Sequence, residues 1–213
     1  MMTFCLILIA VACYTLGSMN GAIIASRLFF NQDVRDYGSH NAGLTNFHRT
    51  YGTTGMAIVL GVDMLKGMIS VLIGKFILGF FNASIVGGLF AMMCCVLGHM
   101  YPMFHQMRGG KGILTAWGAM LVLDWRLGLI AIFIFIVAVA LTRYVSLGSV
   151  LAAAFFPLGV LLARHGLLCF EIALVTAGFV IFKHRTNIER LLNRTESKLE
   201  FKKDISDKFD ETF

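Results

Sequence analysis

The chain has 213 residues, 58% of them hydrophobic and only 14% charged, with a mean hydropathy of +0.79. That much apolar surface exceeds what one soluble core of this length buries, which excludes an ordinary globular domain and marks an integral membrane protein. The formal charge of +6 does not point to nucleic acid: from Thr186 onward six Lys/Arg accompany seven Asp/Glu, so twelve basic against five acidic residues flank the apolar runs, where they act as orientation signals.

Thr3 to Ser26 carries no charge and is followed by Arg27, long enough for one span of about 20 residues. A cleaved signal peptide is disfavoured, because a basic n-region is missing and the apolar run is too long. A polar stretch, YGSHNAGLTNFHRT from Tyr37 to Thr50, comes next. Thr53 to Gly74 is again apolar, interrupted by Asp63 and Lys66, and no charge then occurs between Lys75 and Arg108. That interval supplies the end of one helix, a turn near Phe81 and Asn82, and a helix ending near Tyr101 and Pro102. Twelve uncharged residues separate Lys111 from Asp124 and sixteen separate Arg126 from Arg143, both short of a usual span. A hairpin turning at Asp124–Arg126, with Trp125 at the interface, accommodates them. Tyr144 to Ala163 and Leu167 to Phe182 complete the set.

The expected fold is therefore an all-α polytopic membrane protein with seven transmembrane helices. With the N-terminus outside, the inner side receives Arg27, Arg35, Arg49, Arg108, Lys111, Arg143 and the cluster beginning at Lys183, against Lys75, Arg126 and Arg164 outside. The asymmetry favours a cytoplasmic C-terminus. Residues 1–185 read as the membrane domain and 186–213 as a cytoplasmic amphipathic or charged tail, with Ile188, Leu191, Leu192, Leu199, Ile205 and Phe209 at mostly helical intervals. The five Cys lie in apolar runs without CxxC spacing, and no metal-ligating cluster or cofactor motif is legible.

On this topology four polar segments converge on the cytoplasmic face. In the loop, Ser39, Asn41, Thr45 and Asn46 offer side-chain donors, Gly38 allows positive φ or close backbone approach, and Arg49 adds a forked cation. In MRGGKG, Gly109, Gly110 and Gly112 free the backbone for an anion-binding nest, with Lys111 as a point charge at a helix start. Ile113 follows where a nucleotide-binding P-loop needs Ser or Thr, so nucleotide hydrolysis is disfavoured. RYVSLGS contributes Ser146 and Ser149, and KHRTNIERL places His184 and Asn187 three residues apart. Asp63 and Lys66, one turn apart inside a span, read either as a structural ion pair or as support for a substrate site. His99 and Pro102 read as a cap and bend at a helix end.

Five segments together closely resemble the bacterial acyl-phosphate:glycerol-3-phosphate acyltransferases of the PlsY type. They are DVRDYGSHNAGLTNFHR (Asp33 to Arg49), GVDMLKG (Gly61 to Gly67), GHMYPMFHQMRGGKG (Gly98 to Gly112), SLGS (Ser146 to Ser149) and HRTNIERLLNRTE (His184 to Glu196). The resemblance implies a seven-helix inner-membrane enzyme that moves a fatty acyl group from acyl phosphate to the 1-position of glycerol 3-phosphate, the first step of phospholipid synthesis. It implies roles for Ser39, Asn41, Asn46 and Arg49, for Lys111 and the neighbouring glycines, for Ser149, and for His184 and Asn187, with Glu196 closing the last motif. His40 stands where the family usually has Gly. If backbone there contacts phosphate, His40 must adopt the glycine conformation with a Cβ, which Asn, Asp and His tolerate best.

Acyl phosphate, glycerol 3-phosphate and membrane lipid are thus the expected partners, with an acyl-phosphate-forming enzyme a candidate protein partner. No nucleic acid and no cofactor are expected. Because acyl phosphate is a mixed anhydride, the substrate hydroxyl can attack it directly. The base is then a substrate phosphate oxygen or, in second place, His184. A transporter of phosphorylated metabolites is the alternative reading. The polar motifs lie on one side and no inverted repeat emerges, which argues against it.

Overall fold

In the structure, a computed structural model that describes residues 1–199, the first apolar run is broken. Helix α1 (Met2–Gly17) and helix α2 (Gly21–Phe30) are separated at Ser18–Asn20 and together form one apolar segment of 29 residues. Asn20 is extended, caps α2 by accepting from the Ile23 amide at 3.0 Å, and donates to Ala42 O at 3.1 Å. The carbonyls freed at the break, Gly17 O and Met19 O, accept from Lys66 Nζ at 3.1 and 2.6 Å. Irregular backbone at membrane depth persists only when its polar groups find partners, and here an ammonium supplies them at a helix C-terminus.

Helix α3 (Leu44–Tyr51) lies in the polar loop, and α4 (Met56–Gly79) and α5 (Ser84–Met100) form the central hairpin, turning at Phe80–Ala83 where Asn82 takes φ +57°. Gly74 and Gly87 face each other across it, so that a Cβ on either would strike the other's carbonyl; small residues let membrane helices approach this closely. Helix α6 (Ile113–Leu123) packs on α4, and α7 (Trp125–Thr142), α8 (Val145–Leu162) and α9 (Leu167–Lys183) follow as successive antiparallel neighbours. Asp124 makes the tight turn before α7, its carboxylate accepting from the Arg126 amide at 3.1 Å and pairing with the Arg126 side chain and His165. Helix α10 (Arg185–Leu192) bends from α9 by 60°. No strand occurs among the described residues.

Among the described residues five helical segments are long and apolar enough to cross a membrane, six if the bent α9–α10 pair counts as one span. Helix α6, the fourth expected span, has 11 residues, about 16 Å of rise against a hydrocarbon core of roughly 30 Å. The reason is local. After a short 3-10 turn at Met103–His105 the chain does not continue as α-helix but folds back on the last turn of α5, Gly109 and Gly110 donating to Met100 O and His99 O at 3.3 and 3.2 Å. The core runs through Val71, Met92, Val96, Ala119, Phe156 and Val180, while large apolar side chains such as Phe4, Phe76, Phe133, Leu141 and Leu162 point outward, as a lipid-facing surface requires. All five Cys are free, and four of them are buried. Ile205 and Phe209 of the expected amphipathic tail lie outside the described residues; residues 193–199 fold back so that Leu199 N donates to Arg143 O at 2.7 Å.

Candidate active site

The polar loop is built around Asn46, which is 2% exposed. Its Oδ1 accepts from the Ser39 amide at 2.8 Å, and its Nδ2 donates to Val34 O and Tyr37 O at 3.0 Å each. Both of its amide hydrogens and one oxygen lone pair therefore go into shaping the loop. Gly38 takes φ +61° against Asn46, where a Cβ would strike Oδ1. Asp33 anchors the loop through Arg35 and Arg27, whose guanidinium groups hold its carboxyl well below the usual carboxylate range. Arg35 also donates to His105 O at 2.7 Å and Arg108 O at 3.1 Å, tying this loop to the segment before α6. His40 does adopt the left-handed conformation, at φ +56°, with Nδ1 2.9 Å from Arg35 O. Its ring is exposed and is not part of the cavity wall.

The anion nest expected of Gly109 and Gly110 is not formed, because both amides are taken up by α5 carbonyls. These glycines are required for space instead: a Cβ on Gly109 would meet His99 O, and one on Gly110 would meet the His99 ring and Ala42 O. The turn they permit, completed by Gly112 at φ +84°, aims Lys111 at the last helical pair. Lys111 Nζ donates to Asn187 Oδ1; Asn187 Nδ2 donates to Glu196 at 2.7 Å; Arg190 Nε donates to the other oxygen of Glu196 at 2.7 Å. Asn187 and Glu196 thus act through Lys111. Burial pushes the Lys111 ammonium down to about 8, against the opposing pull of the Glu196 carboxylate.

His184 sits at the α9–α10 bend, 3% exposed, with Nδ1 2.8 Å from Val180 O. A carbonyl only accepts, so Nδ1 carries hydrogen and the neutral ring keeps a lone pair on Nε2. On α8, Ser149 Oγ donates to Val145 O at 2.9 Å, a local bond that leaves its oxygen able to accept.

These segments enclose a cavity of about 520 Å³. Its wall brings together Gly38, Ser39, Asn41, Thr45, Asn46 and Arg49, then Lys111 and Gly112, then Ser146 and Ser149, then His184, Asn187 and Glu196. Residues the motifs did not single out also border it: His99, Arg190 and Ser197, whose carbonyl accepts from Arg49 at 3.3 Å. Asp63 reaches the wall as well, paired with Lys66 at 2.8 Å and accepting from the Gly21 amide at 3.2 Å. With Asp63 matched by Lys66 and Glu196 by Arg190, Arg49 and Lys111 remain as excess positive charge. Ile113, Leu114 and Phe135 form a wall common to this cavity and to an apolar one of about 100 Å³, lined by Met92, Trp117, Met120, Ala131, Ala152 and Phe156 among others. Ile113–Leu114 thus separates a cationic chamber from a hydrocarbon-lined one.

A helical membrane bundle with that pair of chambers defines an integral membrane protein with a cationic pocket beside an apolar one. The sequence profile described as Glycerol-3-phosphate acyltransferase matches residues 7–194, and the chain belongs to that family. It is 43% identical to the glycerol-3-phosphate acyltransferase of Thermoanaerobacter sp. (strain X514) over 199 residues, covering 93% of this chain and 98% of that one. It is 39% identical to the counterpart in Clostridioides difficile (strain 630), over 94% and 98% of the two chains. Among solved structures it is similar to PlsY, an integral membrane glycerol 3-phosphate acyltransferase, in its glycerol 3-phosphate form. There the TM-score is 0.81 with 31% identity, over 92% of this chain and 96% of that chain. The lysophosphatidic acid form of PlsY gives a TM-score of 0.80.

Proposed function

We propose that this protein transfers a fatty acyl group from acyl phosphate to the 1-hydroxyl of glycerol 3-phosphate, giving 1-acyl-glycerol 3-phosphate and phosphate in the first step of phospholipid synthesis. The observation that carries this reading is the adjoining pair of chambers, one lined by Arg49 and Lys111, the other by hydrocarbon. Both substrates bear phosphate and one bears an acyl chain, so the donor's anhydride would lie at the shared wall of Ile113, Leu114 and Phe135.

The glycerol oxygen attacks the acyl carbon, a C–O bond forms, and the anhydride C–O bond breaks with its electrons leaving on phosphate. The hydroxyl proton passes to a substrate phosphate oxygen, while the His184 Nε2 lone pair orients the hydroxyl. Ser39 and Asn41 hold the acyl phosphate. Arg49 and Lys111 neutralise charge as it builds on the leaving group, and Asn187 and Glu196 position Lys111. A good leaving group removes the need for an enzyme nucleophile.

The site is assigned to the cytoplasmic face of the bacterial plasma membrane, with seven crossings. The charge asymmetry supports this. Residues 1–185 carry the crossings, and the tail from 186 contributes the chamber's last wall. The test is phosphate release by the purified protein given palmitoyl phosphate, with and without glycerol 3-phosphate. Release that requires glycerol 3-phosphate and matches the lysophosphatidic acid formed supports the reading. Folded protein that releases none rejects it.

A further inference from the structure

His99 has no part in the reaction just described, yet it borders the same chamber. It stands on the last turn of α5, 3% exposed, against the buried pair of Asp63 and Lys66. Two distances decide its protonation pattern. Lys66 Nζ lies 2.8 Å from His99 Nδ1, whereas Asp63 Oδ1 lies 3.5 Å away, beyond a good hydrogen bond. Lys66 Nζ already donates to Gly17 O, Met19 O and Asp63 Oδ1, one acceptor for each of its three hydrogens, but a hydrogen on Nδ1 would face that cation at 2.8 Å, so the contact favours a lone pair there. The neutral ring therefore carries its hydrogen on Nε2, the tautomer opposite to that of His184.

The place where Nε2 points is equally defined. It lies against Gly110, at the seam between the Gly109–Gly112 turn and Ala42, where a Cβ would strike both the ring nitrogen and the Ala42 carbonyl. Both segments lead into the cavity wall, through Asn41 and Gly43 on one side and Lys111 on the other. Among the described residues Nε2 has no side-chain or backbone hydrogen-bond partner, it is not a fully buried orphan as the Ser70 and Thr115 hydroxyls are, and His99 lines the chamber. The charges beside it cancel, since Asp63 and Lys66 form a pair, so an approaching anion meets a neutral donor backed by a fixed network.

We propose that His99 is a substrate-binding residue whose Nε2–H donates to a phosphoryl oxygen of the acyl phosphate, on the Ser39 and Asn41 side of the chamber. Asp63 and Lys66 are positioning residues that hold the ring in this tautomer. The proposal rests on the acyl-phosphate reading for the identity of the ligand. Its geometry concerns only a phosphoryl group with a hydrocarbon tail.

Two replacements separate the functions of the two ring nitrogens. Asn places an acceptor where Nδ1 stands and loses the Nε2 donor, whereas Gln reaches the Nε2 position and loses the Lys66 contact. We expect His99→Asn to raise KM for palmitoyl phosphate about ten- to a hundredfold, with KM for glycerol 3-phosphate moving by less than about threefold, and His99→Gln to recover most of that loss. Thermal midpoints with added dodecylphosphonate, a probe that cannot be turned over, should rise for the unsubstituted protein and for His99→Gln, and not for His99→Asn. A His99→Asn protein that matches the unsubstituted one overturns the proposal, as does equal damage to both KM values in both variants. Should a variant not fold, nitrogen NMR of the histidine-labelled unsubstituted protein serves: the His99 Nε2–H resonance must shift on phosphonate addition, and one that stays fixed also overturns the proposal. Phosphonate binding that depends on His99 in a protein that releases no phosphate would reject the acyltransferase reading while upholding the phosphoryl site.

Discussion

Replacing Lys111 by Met removes the one ammonium that the Asn187–Glu196–Arg190 chain holds at the chamber wall. As the anhydride breaks, close to one unit of negative charge develops on the leaving phosphate. At about 4 Å and an effective dielectric near 20, its attraction to an ammonium is about 4 kcal/mol, or roughly a thousandfold in rate. Loss of a single donor to a developing oxyanion costs about a hundred- to a thousandfold in kcat. Lys111→Met should therefore lower kcat by that factor with KM changing by less than about tenfold, read as initial rates of phosphate release across both substrate concentrations. The same residue sets an alkaline limit. Below about pH 8 the free enzyme carries the ammonium, and as pH rises through that value the charge and kcat/KM are lost together. Lys111→Arg, whose guanidinium stays charged, should move that limb upward even if absolute activity falls. Unchanged turnover with a raised KM, or an alkaline limb that stays put in the Arg variant, would refute the assignment.

Arg49→Ala should abolish glycerol 3-phosphate-dependent phosphate release, with thermal stability in detergent nearly unchanged, because among the described residues Arg49 makes only one long bond, to Ser197 O. Asn46→Ala removes three hydrogen bonds from the loop core, and should lower stability by about 2–4 kcal/mol as well as activity, measured by thermal unfolding. Ala152→Leu adds three carbons to the apolar chamber and should reduce kcat/KM for palmitoyl phosphate about tenfold or more, while decanoyl phosphate is affected less; competition between donors of different length reads this directly. Chelation should leave the rate unchanged, since Arg49 and Lys111 supply the charge a divalent ion would otherwise provide. Loss on chelator treatment, restored by added ion, would contradict that.

Much of the architecture was legible in one dimension. Hydropathy marks the apolar segments, and charge asymmetry gives their expected orientation. The expected parity of crossings gathers the Tyr37–Thr50 loop, the GGKG turn, the SLGS helix start and the His184 bend at one end, and one cavity does bring these four segments together. The turns at Asn82 and at Asp124 fall where polar residues interrupt the runs. The break at Ser18–Asn20 was not legible, because it depends on Lys66, 47 to 49 residues away, accepting the role of partner to two carbonyls. The shortness of α6 was legible in the twelve uncharged residues between Lys111 and Asp124, but the folding back of the chain before it onto the end of α5 was not.

The sequence by itself determined what kinds of group reach the site, since composition, motif spacing and span parity are properties of the chain alone. Only the tertiary structure decided what each group does there. Lys111 meets Asn187 across 76 residues and Lys66 meets His99 across 33, and such contacts fix which polar atoms are already satisfied and which are left to face a ligand. That is why Gly109 and Gly110 proved to be spacers, Asn46 a loop core and His40 a surface residue. It is also why His99, read in its motif only as a cap, is proposed as a donor to substrate: a hydrogen-bonding group acts on substrate only through the valence its neighbours in space leave unused.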